Sequence, residues 1–360
     1  MSVKLKVESI YLQRGGFMEV SNIKEHLQQF FTENTITIIG SGLSCAEGIP
    51  GMGRLAEELI NNVPGYINTE SLEIWGKIEN DLKNGMGLEE TLLRYEANND
   101  IEVAIKNITE KLIRKSESDV ISRVVSKKEK LRISEYVKKL KISPDGTKII
   151  TTNYDRLIEF GCEFEGILVD NLFQGNYISK SNQNSKYSFF EGVDRSRGKH
   201  IKVKFRDHVT IYKPHGCLGW YKYENDVIYS SFNLDMENLI ITPGSNKYRK
   251  GYDAPFDTNR ARANEAICNA NQFIIIGYGF NDDHLETHLI SKIKSGTPTL
   301  IITHGITDKV KKLIEENEIT AVYSYNKGVE KGTIVNIRGR ENILNDCNIW
   351  DLGEFVKEVL

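Results

Sequence analysis

Thr35-Ile36-Thr37-Ile38-Ile39-Gly40-Ser41-Gly42-Leu43-Ser44-Cys45-Ala46-Glu47-Gly48-Ile49-Pro50 is the stretch whose pattern points most directly to a fold. Its first five residues are apolar or β-branched, as a strand buried on both faces requires. The small residues Gly40, Ser41 and Gly42 then make a turn, and the mixed segment beyond them can open a helix near Ser44. A turn of this kind lets the backbone approach a pyrophosphate, whose charge is met by N–H groups and a helix N-terminus. The dinucleotide fingerprint G-x-G-x-x-G is incomplete, because Cys45 holds the third glycine's place and the next glycine is Gly48. Taken by itself, the segment suits a plain tight turn equally well.

Similar runs recur at 148–152 (KIITT), 239–242 (LIIT), 273–277 (FIIIG) and 299–303 (TLIIT). Near-continuous β-branched strands predict a parallel sheet with helices on both faces, an α/β Rossmann-like fold. From about Arg54 to Ser143 glycine thins out, and Ile101, Ile105, Ile108 and Leu112 step at i, i+4, i+7 and i+11. That stripe predicts a helical module inserted over the sheet edge as a lid or wall. Residues 1–307 are therefore expected to form one domain with an insertion at about 54–143. Residues 308–360, a helix-like segment followed by short strands and a last helix, would complete or flank it. The Asn-, Ser- and Lys-rich stretch from Phe173 to Lys202 reads as an exposed loop.

The 360 residues carry 47 Lys and Arg against 50 Asp and Glu, a net charge of -3, so no global basic field argues for nucleic acid or an anionic membrane. The five cysteines, Cys45, Cys162, Cys217, Cys268 and Cys347, are scattered and include no C-x-x-C pair, which disfavours a disulfide scaffold and a structural zinc site. With no apolar run of about 18 residues, the expectation is a cytoplasmic protein.

Four blocks carry a resemblance. The segment GSGLSCAEGIPGMGRL resembles the first signature of the sirtuin family, with Gly40, Gly42, Ser44, Gly48, Ile49 and Pro50 matching. After the proline, Gly51-Met52-Gly53-Arg54 departs from the family's acidic, aromatic and arginine residues. ITTNYDRLIE is similar to the Gln-Asn-x-Asp segment, matching at Asn153 and Asp155 with Thr152 in place of glutamine. These two residues equally suit capping of a helix that starts near Arg156. TIYKPHGCLGW places His215-Gly216 after a short strand, as in the family's catalytic histidine segment, and FIIIGYGFNDDHL resembles the late strand and glycine loop facing the adenosine half of the dinucleotide. The form Gly277-Tyr278-Gly279-Phe280-Asn281-Asp282 looks like a divergent branch associated with NAD-consuming bacterial anti-phage proteins.

The resemblance implies NAD as substrate. Gly40, Ser41, Gly42 and Ser44 would cradle its diphosphate, and Pro50, Gly277, Gly279 and Asn281 would line the rest of the binding loops. Asn153 would orient the ribose and a water, His215 would take a proton, and Asp155 would hold the nicotinamide amide. Deacetylating sirtuins carry a four-cysteine zinc module and a peptide-pairing loop; this chain has scattered cysteines and TPGSNKYRKGYD at 242–253. The expected activity is therefore NAD hydrolysis without a metal, in a gated, homo-oligomeric anti-phage effector. The resemblance also implies a partner ATPase of the hexameric DNA-translocase type. A protein deacylase and a non-catalytic NAD or ADP-ribose sensor are the alternatives. Two patterns are set aside: His284 and His288 lack the glutamate placement of H-E-x-x-H, and the run Lys127 to Lys130 is a solvated face rather than a nucleic-acid patch.

Overall fold

The computed structural model describes residues 18–95, 97–194, 202–244 and 254–360, leaving aside the side chains of Asp283 and His284. Its main sheet contains β1 (Thr35–Ile39), β2 (Thr147–Thr151), β3 (Leu168–Asp170), β8 (His208–Tyr212), β12 (Gln272–Ile276), β13 (Thr299–Thr303), β14 (Thr320–Lys327), β15 (Glu330–Ile337) and β16 (Arg340–Asn345). They lie in the order β16-β15-β14-β13-β12-β1-β2-β8-β3. The seven from β14 to β3 run parallel, and β15 and β16 add an antiparallel margin. β1 pairs with β2 on one side and β12 on the other, so the chain reverses direction across the sheet beside β1, where α/β proteins place their ligand crevice.

Alternation along the strands feeds two cores. Ile36, Ile38, Phe273, Ile275 and Ile301 point to one face, where the helices Phe256–Cys268, Asp283–Lys294 and Asp308–Glu316 contribute Ala263, Leu289 and Leu313. Ile39, Ile274, Ile276 and Ile302 point to the other. There they meet α1 (Val20–Gln28), α2 (Ser41–Glu47) and the C-terminal helix Leu352–Val359, through residues such as Leu27, Leu43 and Phe355. A sheet buried on both faces explains the β-branched runs.

Between α2 and β2 stand α3 (Met52–Asn62), α4 (Thr69–Lys83), α5 (Leu88–Arg94), α6 (Asn99–Lys127) and α7 (Arg132–Val137). The first three and the front of α6 close a separate core around Leu59, Trp75, Ile78, Leu92, Ile101, Ile105 and Ile108. Asn68 and Asn98 start α4 and α6 by accepting from Ser71 N at 2.9 Å and Ile101 N at 3.1 Å. The back of α6 instead enters the main core through Ile113, Val120 and Val124. Past α7 and β2 the chain forms α8 (Leu157–Phe164), which adds Leu157, Ile158 and Cys162 to that core.

Two expectations are corrected. The run 239–242 is not in the parallel sheet: Asn238–Ile240 forms β11 of a second sheet ordered β11-β9-β10-β5-β4, with β4 (Phe173–Gln174), β5 (Ser179–Ser181), β9 (Gly216–Tyr223) and β10 (Asp226–Tyr229). Buried Asn238 donates to the carbonyls of Leu218 and Trp220, both at 2.9 Å, which ties β11 to β9; an apolar run alone does not specify its sheet. The parallel position falls to β8. Nor is Phe173 to Lys202 simply an exposed loop, since it holds β4, β5 and β6 (Phe190–Asp194), the last paired with β7 (Lys202–Phe205). No helix of the described residues is long and apolar enough to cross a membrane.

Candidate active site

A cavity of about 710 Å³ opens beside the C-terminal ends of β1, β2 and β12, within the size range of small-molecule sites. Ser41, Ser44, Pro50, Asn153, Asp155, His215, Gly279 and Asn281 all line it, so residues far apart in sequence share one wall. Met52 and Leu55 of α3, and Leu88, Glu89, Glu90 and Leu93 of α5, line it as well, so that this side mixes apolar side chains with two carboxylates. Gly40, Gly42 and Gly277 stand behind the surface and make the two loops fit.

A Cβ on Gly40 would stand 2.5 Å from Gly277 O, and one on Gly42 would stand 2.8 Å from Gly277 Cα. Gly277 itself has φ +56, and its own Cβ would reach Leu43 N at 2.7 Å. The Gly42 N–H donates to Gly277 O at 2.9 Å and Gly40 N–H to Ile276 O at 2.9 Å. The glycines thus serve a backbone-to-backbone seam between the β1 and β12 loops, a cause distinct from the phosphate approach that their spacing suggests.

The loop after β2 is fastened residue by residue. Asn153 Nδ2 donates to Gly40 O at 2.9 Å and to Ser44 Oγ at 2.7 Å. Ser44 Oγ donates in turn to Asp155 Oδ2 at 2.7 Å, and Asp155 Oδ1 accepts from Leu157 N at 3.2 Å. Asp155 therefore both steadies the entry to α8, through the Leu157 N–H, and lines the cavity, although the N-cap position itself is held by Arg156. Asn153 caps nothing. With both amide hydrogens committed to Gly40 and Ser44, its Oδ1 is the end turned to accept from a water or a hydroxyl.

Under this loop lies buried Lys213. Its Nζ donates to the carbonyls of Asn153, at 3.3 Å, and Asp155, and pairs with Glu159 Oε1 at 3.2 Å. Burial opposes the Lys213 charge, but the Glu159 and Asp155 carboxylates more than offset it and hold the ammonium above the ordinary lysine range. Burial pushes the Asp155 and Glu159 carboxyls up, against the pull of Lys213.

His215 sits 13% exposed at the β8–β9 turn, its Nε2 close against Asp282 Oδ2. The residue after it must be glycine: Gly216 has φ +91, and a Cβ there would meet Leu239 O at 2.3 Å. The loop carrying Asp282 is fixed by Thr307 Oγ1, which donates to Gly279 O at 3.0 Å, and by buried Glu286, which accepts from Asp282 N and pairs with Lys309 at 3.2 Å. Phe280 in this loop adopts φ 56 although it is not glycine, held there by full burial.

Sequence reasoning missed Asp282, Lys213 and Glu159. Asp282 directly follows Asn281, and Lys213 is a charge at the end of a buried strand two residues before His215; both were visible signals. The set-aside pair is divided: His288 Nδ1 lies 3.8 Å from Cys268 Sγ, and the His284 side chain is outside the described residues. Most of 242–253, the segment standing where a peptide-pairing loop would be, is outside them too. Among the described residues no group of three or more His, Cys, Asp or Glu side chains is placed to hold a metal ion.

A search of curated proteins finds no match. Solved structures of similar outline include Sir2Tm bound to a propionylated peptide, at 12% identity, covering 79% of this chain and 89% of that one, with a TM-score of 0.40. A Sir2 homologue mutant in complex with 2'-O-acetyl ADP ribose is 13% identical, covering 95% and 98%, with a TM-score of 0.44. A complex of Sir2, a p53 peptide and NAD+ is 13% identical, covering 95% and 97%, with a TM-score of 0.39. Residues 147–322, from β2 into β14, match the family model of the SIR2-like domain, so that this segment of the chain is similar to that domain.

Proposed function

We propose that the chain is an NAD glycohydrolase, cleaving NAD to nicotinamide and ADP-ribose. The SIR2-like domain points to NAD-dependent chemistry. The observation that carries the reading is the meeting of Asn153, Asp155 and His215 in one cavity at the sheet's crevice, against the Gly40–Gly42 loop. The bond broken joins ribose C1′ to the pyridinium nitrogen, and nicotinamide departs neutral without an acid. What remains is to steady a cationic sugar and deliver water, tasks for fixed acceptors and one base.

In this reading Asn153 Oδ1 accepts from the attacking water or from a ribose hydroxyl. The water oxygen bonds to C1′ while its proton passes to His215 and then to solvent. Asp282, beside the His215 ring, orients the imidazole and balances the charge it acquires. Asp155, its two oxygens already engaged by Ser44 and Leu157, offers its remaining lone pairs to the nicotinamide amide. Ser41, Gly279 and Asn281, which line the same cavity, would meet the diphosphate and adenosine side.

Because unrestrained NAD loss harms a cell, we read the activity as gated, in an anti-phage effector that acts as a homo-oligomer. The test is nicotinamide release by the purified chain, with light scattering for assembly. Acyl-lysine removal without hydrolysis would replace this reading with the deacylase, and ADP-ribose binding without turnover would replace it with the sensor.

A further inference from the structure

Asp155 is followed by a residue that does not line the cavity. Arg156 turns its side chain away to Glu117 of α6, with Nη2 at 2.6 Å and Nε at 3.1 Å from Glu117 Oε2, while the Arg156 main-chain N–H donates to Glu117 Oε1 at 2.5 Å. Glu117 is 1% exposed, so this is a two-pronged, almost fully enclosed ion pair. Arg156 Nη1 also donates to Ser231 O at 3.0 Å.

The contact belongs to a polar stripe along α6. Lys106 pairs with Glu237 at 3.0 Å, and Arg114 donates to Asn233 Oδ1 and to Leu218 O, both at 2.7 Å. Leu218 N in turn donates to Tyr154 O at 2.9 Å. One helix, which also builds the inserted core with Ile101, Ile105 and Ile108, thus holds Tyr154 and Arg156 on either side of Asp155. A buried charge pair adds little net stability compared with an apolar contact, but it fixes geometry, because any displacement leaves a charge uncompensated.

The geometry points to Glu117 and Arg156 as positioning residues for the reaction: they transmit the position of α6 into the Asn153–Asp155 loop. A neighbouring chain or ligand that shifts α6 then changes the site without touching it. This rests on the hydrolase reading for its kinetic consequence, while the coupling itself is testable without NAD.

Arg156→Lys keeps the charge and loses the fork; Glu117→Gln keeps an acceptor and loses the charge. Hydrogen–deuterium exchange of the unliganded variants should rise at least 10-fold at residues 153–157 and stay unchanged in β12 and β13. In nicotinamide release, kcat should fall about 10-fold in both variants with KM within threefold, and Arg156→Lys should retain more activity than Arg156→Met. Unchanged exchange at 153–157 in soluble, cooperatively melting variants overturns the coupling, as does wild-type kcat in both. If the wild-type chain releases no nicotinamide, the hydrolase reading fails, and the exchange result still decides the coupling. Should either variant be insoluble, Arg114→Gln, which loosens the same seam at Leu218, supplies the same exchange readout.

Discussion

Ser44 donates its hydroxyl proton to the Asp155 carboxylate across 2.7 Å, although the two stand 111 residues apart in the chain. The same hydroxyl oxygen accepts from Asn153 at 2.7 Å, so one small side chain on α2 sets the relative placement of two residues from the β2 loop. Ser44→Ala removes both bonds and leaves a buried amide and a buried carboxylate each short of a partner. The expected loss of stability is about 1–3 kcal/mol by denaturant titration. Nicotinamide release should fall as well, and a Ser44→Ala protein as stable as wild type would show that the network is not formed.

Asn153→Ala and His215→Ala should each lower the NAD cleavage rate by about two orders of magnitude or more, the usual effect of losing a positioning or acid–base group. Asp282→Asn keeps size and hydrogen-bonding atoms beside His215 but loses the charge. Its kcat should fall by about tenfold or more with KM nearly constant, since the carboxylate meets a charge that develops only during reaction. Wild-type kcat in Asp282→Asn would remove it from the mechanism.

The parallel sheet was legible because β1, β12 and β13 are apolar and rich in β-branched residues, a pattern that burial on both faces demands. The candidate site's convergence was legible where it is local: Asn153 and Asp155 are two residues apart, and His215 precedes Gly216, where φ +91 and the approach to Leu239 O both call for glycine. Partners such as Glu117 for Arg156 or Asp282 for His215 lie 39 and 67 residues away, where no spacing rule reaches. β4 and β5, of two and three residues, are too short to show a period, so their polar composition read as loop.

Replacement of Gly42 or Gly277 by alanine should cost about 1–3 kcal/mol, because the added carbon meets backbone that no side-chain motion can clear. Gly53, the second residue of α3, is the control: a Cβ there has nothing within 4 Å, and alanine, with less unfolded-chain entropy to lose than glycine, is favoured by about 0.4–1 kcal/mol. Thermal melting of the three variants should therefore move Gly53→Ala up and the other two down. Equal behaviour of all three would mean that the two loops are not in backbone contact.

The last prediction concerns pH and a residue away from the cavity. Burial, helped by repulsion from Lys186, brings the Lys148 ammonium down to about 8, and the Asp170 carboxylate only partly opposes this. In the unfolded chain the same group titrates near 10.4. Between about pH 8 and pH 10 the unfolded state therefore binds more protons at this position than the folded state, and stability contributed by this group rises with pH. Below pH 8 both states are protonated and the burial penalty is present in full. Lys148→Met removes the titration, so the difference in unfolding free energy between variant and wild type should be largest below pH 8 and shrink as pH climbs toward 10. A difference that stays flat across that window, measured by urea titration at each pH, would show that Lys148 keeps an ordinary lysine titration in the folded chain.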